Sequence, residues 1–269
     1  MRQRFFATRA SVQALALGLA LWLALAAALM PLPARAGLEE LIVAAKPSVV
    51  AVGTYRATDS PRFGFRGTGF VVGKGDMVIT NAHVLPEELP SGAQAALSIL
   101  TPRTGAGAEP QLRNATLLGL DRAHDLALLR IDGAALPALP LASGAPLREG
   151  SLVAIIGYPI GGALGFTPVT HRGIVSSITA IALPAPSSQG LNPQAIRQLR
   201  QGSFDIYQLD ATAYPGNSGS PVFDVASGQV VAVINMVLTK GSKESAITNP
   251  SGISYAIPVR FVLELMKDR

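Results

Sequence analysis

The chain has no cysteine, one tryptophan and only three histidines among its 269 residues. Without cysteine it can form neither a disulfide nor a thiolate zinc site, and a cysteine nucleophile is excluded. The histidines are His83, His124 and His171, which are too few for a typical multi-histidine metal site. We therefore expect no metal and no other cofactor, and a domain of this size that depends on its apolar core rather than on disulfides.

Acidic residues are missing from residues 1–36. Arg2, Arg4 and Arg9 precede an apolar run from Val12 to Met30, and Ala34-Arg35-Ala36 places small residues around a potential cut. This order predicts a secretory signal peptide over residues 1–36, cleaved after Ala36, and a periplasmic or secreted mature chain over 37–269. The alternative is an uncleaved inner-membrane anchor, because the run approaches the roughly 20 residues that span a bilayer. Only in that case do we expect membrane contact.

The basic character of the chain comes largely from this leader. Four of the 22 basic residues and none of the 17 acidic residues lie in it, so 18 basic and 17 acidic residues remain, with a net charge of +1. No cluster of lysine and arginine is left to attract phosphates. Nucleic-acid binding is therefore excluded as a function.

After the leader, the sequence predicts a short amphipathic helix over Gly37–Lys46, many short β-strands and a closing helix over 259–267. Because no helices alternate with the strands, the pattern is typical of an all-β sandwich or barrel. The Pro/Ala/Gly-rich stretch 133–150 is the expected linker between two β units, at about 47–132 and 151–258. The predicted strands are Val49–Thr54, Thr68–Val72, Met77–Thr80, Ala95–Ile99, Ala115–Leu120, Leu126–Ile131, Leu152–Gly157, Val169–Ile181, Ile206–Leu209, Pro221–Asp224, Val230–Val237 and Ile253–Ile257.

Three short segments contain the residues of a serine-hydrolase triad, and each lies at a predicted strand end. His83 follows Thr80-Asn81-Ala82, Asp125 precedes a buried apolar run, and Ser218 lies within Gly216-Asn217-Ser218-Gly219. Serine needs a neighbouring base, and the base needs a group that orients it. We therefore predict that Ser218 is the nucleophile, His83 the base and Asp125 the residue that orients His83.

The glycines around the serine predict a second element of the site. Gly216 permits a turn in which backbone N–H groups converge, so we expect the oxyanion hole at Gly216, Asn217 and Ser218. The order His, Asp, Ser also separates this chain from an α/β-hydrolase, which has the order Ser, acid, His on a strand–turn–helix elbow. Here Pro221 leads into a strand instead.

The chain resembles the HtrA (Deg-type) branch of the trypsin-like, chymotrypsin-fold serine peptidases. The resemblance implies two orthogonally packed six-stranded β-barrels, a C-terminal helix and an active site in the cleft between the barrels. One departure is Ser220-Pro221, and another is the end of the chain just after the closing helix. We therefore expect no PDZ-mediated partner, and the oligomeric state stays open. The segments that carry the resemblance are Thr80-Asn81-Ala82-His83-Val84, Asp125-Leu126-Ala127-Leu128-Leu129, Gly216-Asn217-Ser218-Gly219 and Gly252-Ile253-Ser254-Tyr255-Ala256-Ile257-Pro258.

The resemblance also implies where the primary specificity pocket lies. None of the residues that it assigns to the pocket is acidic, so a preference for Lys or Arg lacks a counter-charge. We expect small or medium aliphatic residues before the scissile bond, and a surface position for His171. The pocket residues are Thr212, Ala213, Ile234, Asn235, Met236, Ser254, Tyr255 and Ala256.

Two classes of function remain open at this point. The first is an exported serine endopeptidase that acts on polypeptide substrates through an acyl-enzyme, with protein quality control as one role. The second is a peptide-binding or chaperone module on a protease scaffold, with little turnover. For an enzyme, we expect the loops Ile160–Pro168 and Pro184–Ser203 to control activity.

Overall fold

The computed structural model describes residues 37–88, 95–103, 109–159, 161, 165–181, 204–237 and 252–267. The expected signal peptide and the loop expected at Pro184–Ser203 lie outside the described residues. The described part begins with helix α1, Leu38–Ala45, whose Leu41 and Ala45 are buried. Pro47 then stands in a 3₁₀ turn, Lys46–Ser48, because proline cannot continue the helix. In the part of the chain that the structure covers, no helix is long and apolar enough to cross a membrane.

The strands close into two antiparallel six-stranded barrels, which confirms the predicted all-β fold. Strand order is β1-β2-β3-β6-β5-β4 in the first barrel and β10-β11-β12-β9-β8-β7 in the second. Helix α2, Arg260–Met266, follows the last strand. The strands are β1 Val49–Arg56, β2 Phe63–Val72, β3 Met77–Asn81, β4 Ala95–Leu100, β5 Leu112–Asp121, β6 Leu126–Ile131, β7 Leu152–Gly157, β8 Val169–Ile181, β9 Phe204–Asp210, β10 Pro221–Asp224, β11 Val230–Val237 and β12 Ile253–Pro258.

Many strands are continuous apolar runs in the sequence because they are buried on both faces. Successive side chains of a strand point to opposite sides of its sheet. On β1, Val50 and Val52 pack inside the first barrel, whereas Val49 and Ala51 pack in a cluster that residues of both barrels share. A third cluster fills the second barrel. The sequence of such a strand therefore lacks the polar alternation of a solvent-exposed sheet.

The linker and one buried tyrosine join the barrels. Leu139 N–H donates to the carbonyl of Val71 in the first barrel, and Ala142 N–H donates to Val230 in the second, both at 2.9 Å. Tyr158, just after β7, donates its hydroxyl to the carbonyl of Val49 at 3.0 Å. Burial raises the pKa of the Tyr158 phenol, so it stays a neutral donor. These contacts hold the two barrels together.

Candidate active site

His83 lies in a 3₁₀ turn, Ala82–Val84, that directly follows β3. The turn takes the chain out of the sheet, so the His83 side chain is 37% exposed while Ala82 and Val84 are buried. The turn is held at its base because Ala82 N–H donates to the carbonyl of Asp125 at 3.1 Å. The imidazole is thus both accessible and fixed in position.

Asp125 ends the turn between β5 and β6 with a φ of +52°. Aspartate tolerates this left-handed conformation better than most residues, and its carbonyl is also held by the Asn81 carboxamide at 3.0 Å. Asp125 Oδ2 lies 2.5 Å from Nδ1 of His83, and Oδ1 accepts the backbone N–H of His83 at 2.9 Å. When Nδ1 donates to the carboxylate, Nε2 of the neutral ring is left as an acceptor.

Asn235 connects this pair to Ser218. Asn235 is the extra residue of a β-bulge in β11, because Ile234 and Met236 pair with consecutive residues of β12. The bulge directs its carboxamide Nδ2 to Asp125 Oδ2 at 2.5 Å, while its carbonyl accepts from Ser218 Oγ at 3.2 Å. The sequence analysis placed Asn235 in the pocket wall and missed its contact with Asp125.

Ser218 is held by the opposite barrel through its backbone. Its carbonyl accepts the N–H of Thr68 on β2 at 2.8 Å, and Gly219 N–H donates to Ile234 at 2.9 Å. Its hydroxyl donates a hydrogen bond to the carbonyl of Asn235. Within the described residues, no hydrogen bond joins Ser218 Oγ to His83. The structure therefore links the three expected residues through Asn235 but leaves the serine–histidine contact unmade.

The turn before Ser218 supplies unpaired backbone donors. Asn217 N–H donates to the carbonyl of Tyr214 at 3.0 Å, and Gly216 between them has a φ of +104°. With Pro215 and Gly216 at its centre, this turn requires the positive φ that glycine adopts easily. In the described part of the chain, the N–H groups of Gly216 and Ser218 donate to no acceptor. Asn217 was included in the expected oxyanion hole, but its N–H is already used within the turn.

The expected pocket residues divide into four groups. Ile234 and Ala256 are fully buried and pack in the core of the second barrel, so their side chains cannot line a pocket. Ser254 is buried and donates to the carbonyl of Ala211 at 2.9 Å. The side chain of Met236 lies outside what the structure describes. The remaining pocket candidates are Ala213, which is buried, Thr212 and Tyr255, which are half-buried, and Asn235, which contacts Asp125.

The side chains of the other two histidines contact neither His83 nor Asp125 among the described residues. His124 stacks on Phe261 of α2 at 3.7 Å between ring centroids, and its Nδ1 lies 2.7 Å from Asp121. His171 is half-buried beside Tyr214, which corrects the expected surface position. Burial lowers the pKa of His171. Among the described residues, no group of three or more His, Cys, Asp or Glu could hold a metal ion.

Comparisons with known proteins identify the family of this chain. The trypsin-like peptidase domain family matches residues 67–233. A DegP-like periplasmic serine endoprotease of Pseudomonas fluorescens is 30% identical over 199 residues, which are 74% of this chain and 34% of that protein. The mitochondrial serine protease HTRA2 of Drosophila pseudoobscura is 29% identical over 196 residues, 73% of this chain and 37% of that protein. The chain thus spans about a third of the length of these relatives.

Two solved structures share the fold. The HtrA-type protease AlgW with a tripeptide has a TM-score of 0.57 and 25% identity, over 85% of this chain and 62% of that one. The serine endoprotease from Yersinia pestis has a TM-score of 0.58 and 22% identity, over 88% and 67%. These structures support the chymotrypsin-like two-barrel fold, and the family match covers His83, Asp125 and Ser218. The chain belongs to the trypsin-like peptidase family and is similar to its HtrA/DegP-type members.

Proposed function

We propose that this protein is an exported serine endopeptidase in which Ser218 is the nucleophile, His83 the general base and Asp125 the residue that orients His83. One observation carries the proposal. Asn235 binds Asp125 with its side chain and Ser218 with its carbonyl, at 2.5 Å and 3.2 Å, and Asp125 in turn contacts His83, so one series of contacts links the three residues. Such an arrangement is expected where a hydroxyl, a base and an orienting acid act together.

The reaction begins with a rotation of Ser218 about χ1. Its hydroxyl leaves the Asn235 carbonyl and turns to Nε2 of His83, a rotamer change on a picosecond to nanosecond timescale. His83 takes the proton while Oγ attacks the scissile carbonyl, and the carboxylate of Asp125 stabilises the imidazolium. The C–N bond then breaks, His83 gives its proton to the leaving amine, and water hydrolyses the acyl-enzyme by the reverse sequence.

The N–H groups of Gly216 and Ser218 are the donors that we assign to the oxyanion. They need no rearrangement of existing hydrogen bonds, since neither donates to an acceptor in the described part of the chain. Preorganised donors of this kind stabilise charge as it develops, and loss of one costs on the order of 10²–10³ in kcat. Asn217 supports them by closing the turn through Tyr214.

The described pocket segments favour an uncharged residue before the scissile bond. Thr212, Ala213, Asn235 and Tyr255 offer no carboxylate that would bind Lys or Arg. We assign to the enzyme a preference for small or medium aliphatic residues such as Val, Ala, Ile or Leu. A library of peptides analysed by mass spectrometry tests this, and cleavage mainly after Lys, Arg or Glu would contradict it.

The leader and the relatives support export. The relative from Pseudomonas fluorescens is named as periplasmic, and residues 1–36 have the composition of a signal peptide. We assign the mature enzyme to the periplasm or to the cell exterior. N-terminal sequencing of chain recovered from the periplasm of a Gram-negative host tests the cut, with Gly37 as the expected first residue and Met1 as the contrary result.

A peptide-binding role without turnover is the second candidate, and the position of the Ser218 hydroxyl favours it. The activity test is hydrolysis of unfolded casein by the purified chain and by Ser218→Ala. An endopeptidase gives fragments only with the wild-type chain. A pure binding module retains casein intact with both chains and binds it equally well.

A further inference from the structure

Arg66 is the extra residue of a β-bulge in β2. Val52 and Gly53 of β1 are consecutive, but they pair with Gly67 and Phe65, so Arg66 has no partner across the strands. Bulges change the direction of a side chain and are frequent beside active sites. Here the bulge places a cation on the strand that also holds the backbone of Ser218.

The Arg66 guanidinium lies against the turn that presents His83. Its Nε donates to the carbonyl of Val84 at 2.5 Å, and Nη2 donates to Leu85 at 3.1 Å. A guanidinium has five N–H donors, so the other donors remain for a further partner. Arg66 is exposed, and none of the ion pairs among the described residues includes it.

Arg66 belongs to the strand that contacts the backbone carbonyl of Ser218. The expected pocket lies towards β11, where Ser218 Oγ contacts Asn235. On the other side, a Cβ added to Gly67 would lie 3.0 Å from the Ser218 carbonyl and 2.6 Å from a methyl of Val84. If the residue before the scissile bond occupies that pocket, we expect the residues after the bond to extend towards β2 and come within reach of Arg66.

The two acidic residues that follow Leu85 do not neutralise Arg66. Glu87 and Glu88 follow Leu85 on the same loop and are exposed, but neither pairs with the guanidinium. Resting on the proposed peptidase function, we propose that Arg66 binds an acidic side chain at the first or second position after the scissile bond. The enzyme then selects substrates by an apolar residue on one side of the bond and by an anionic residue on the other.

The test uses quenched fluorescent peptides with Val before the bond and Glu, Gln or Lys at each of the two following positions. For wild type, the expected ratio of kcat/KM between the Glu and Lys peptides is about three- to tenfold at low salt, as for a partly exposed ion pair with a repulsive counterpart. The ratio falls to about one in Arg66→Gln and is largely kept in Arg66→Lys. Arg130→Gln is the matched control, because it removes the same charge from an exposed position of β6. We expect it to leave the ratio unchanged.

Two measurements distinguish substrate selection by Arg66 from a purely structural role of this residue. They also distinguish failure of the subsite from failure of the proposed peptidase function. Fluorophosphonate labelling of Ser218 needs no leaving peptide, so unchanged labelling in Arg66→Gln shows an intact site. If that variant does not fold, the wild-type ratio alone decides, because it must shrink as salt shortens the screening length. A wild-type ratio of one, or an equal ratio in Arg66→Gln, overturns the subsite, whereas no cleavage of any peptide contradicts the peptidase function itself.

Discussion

The hydroxyl of Thr68 donates to the carbonyl of Gly216 at 2.7 Å, across the boundary between the barrels. The same hydroxyl accepts the N–H of Tyr158 at 3.0 Å, and the Thr68 N–H donates to the carbonyl of Ser218 at 2.8 Å. Thr68 is completely buried. A residue of the first barrel thus fixes two peptide planes of the turn that carries the candidate oxyanion donors in the second.

Replacement of Thr68 by Val removes this hydroxyl with little change in volume. The carbonyl of Gly216 then loses its donor, so the turn can rotate and its N–H groups no longer converge. We expect kcat to fall on the order of tenfold to a hundredfold, as for a misplaced catalytic group, with a smaller change in KM. Thr68→Ser keeps the hydroxyl and should retain most activity. Equal kcat values for Val and Ser variants would contradict this role.

Asn235→Ala tests the contact with Asp125. A hydrogen bond to a charged group contributes about 1.5–3 kcal/mol, and without it the carboxylate that orients His83 loses one of its partners. We expect kcat to fall on the order of tenfold, measured with one aliphatic peptide. Ser254→Ala is the control, because it removes a buried hydrogen bond to Ala211 without touching Asp125. A larger loss of kcat in the control would argue against the assigned role.

Most of the fold could be predicted from local pattern. The strands that are buried on both faces, such as β6 and β7, have the predicted limits because their apolar runs end sharply. Strand β2 begins at Phe63 rather than at Thr68. Gly64, Arg66 and Gly67 break the apolar pattern there, and the strand is held by its pairing with β1 rather than by its own composition.

The site was predictable in its residue types but not in its connections. His83, Asp125 and Ser218 follow from their short motifs. The contact of Asn235 with Asp125 depends on the bulge in β11, and the position of Arg66 depends on the bulge in β2. A bulge is set by the register between distant strands, so a single sequence does not show it. The sequence also made His171 look exposed, because the Tyr214 ring that packs beside it is distant in sequence.

Gly219 and Gly150 form a matched pair for a test of the nucleophile turn. Both have positive φ, +87° and +84°, but only Gly219 is crowded. A Cβ there would lie 2.0 Å from the carbonyl of Thr68, whereas a Cβ at Gly150 meets nothing within 4 Å. We expect Gly150→Ala to lower the free energy of unfolding by about 1–2 kcal/mol.

Gly219→Ala adds a backbone clash to the same conformational strain. We expect the free energy of unfolding to fall by about 3–5 kcal/mol and the activity to be lost. Urea unfolding of both variants provides the measurement. Similar losses in the two variants would show that the contact with Thr68 is looser than the structure indicates.

His171 should make the folded chain sensitive to acid. Burial lowers its pKa below the ordinary value of about 6.5, so below that pH the unfolded chain binds this proton more readily than the folded chain. The contribution of His171 to the free energy of unfolding is complete above about pH 6.5, and it is lost as the pH falls towards the lowered pKa of His171 in the folded state. His171→Gln should flatten the fall in the free energy of unfolding between about pH 7 and pH 5, measured with urea. An unchanged slope would contradict this assignment.

The most direct measurement of the central claim is covalent labelling of the purified chain with a fluorophosphonate, followed by peptide mass spectrometry. We predict one modified residue, Ser218, with no labelling of Ser218→Ala and strongly slowed labelling of His83→Ala. Ser220→Ala, two residues away, is the control and should still label. A folded wild-type chain that does not react, or a label that persists in Ser218→Ala, would contradict the claim that Ser218 is an activated nucleophile.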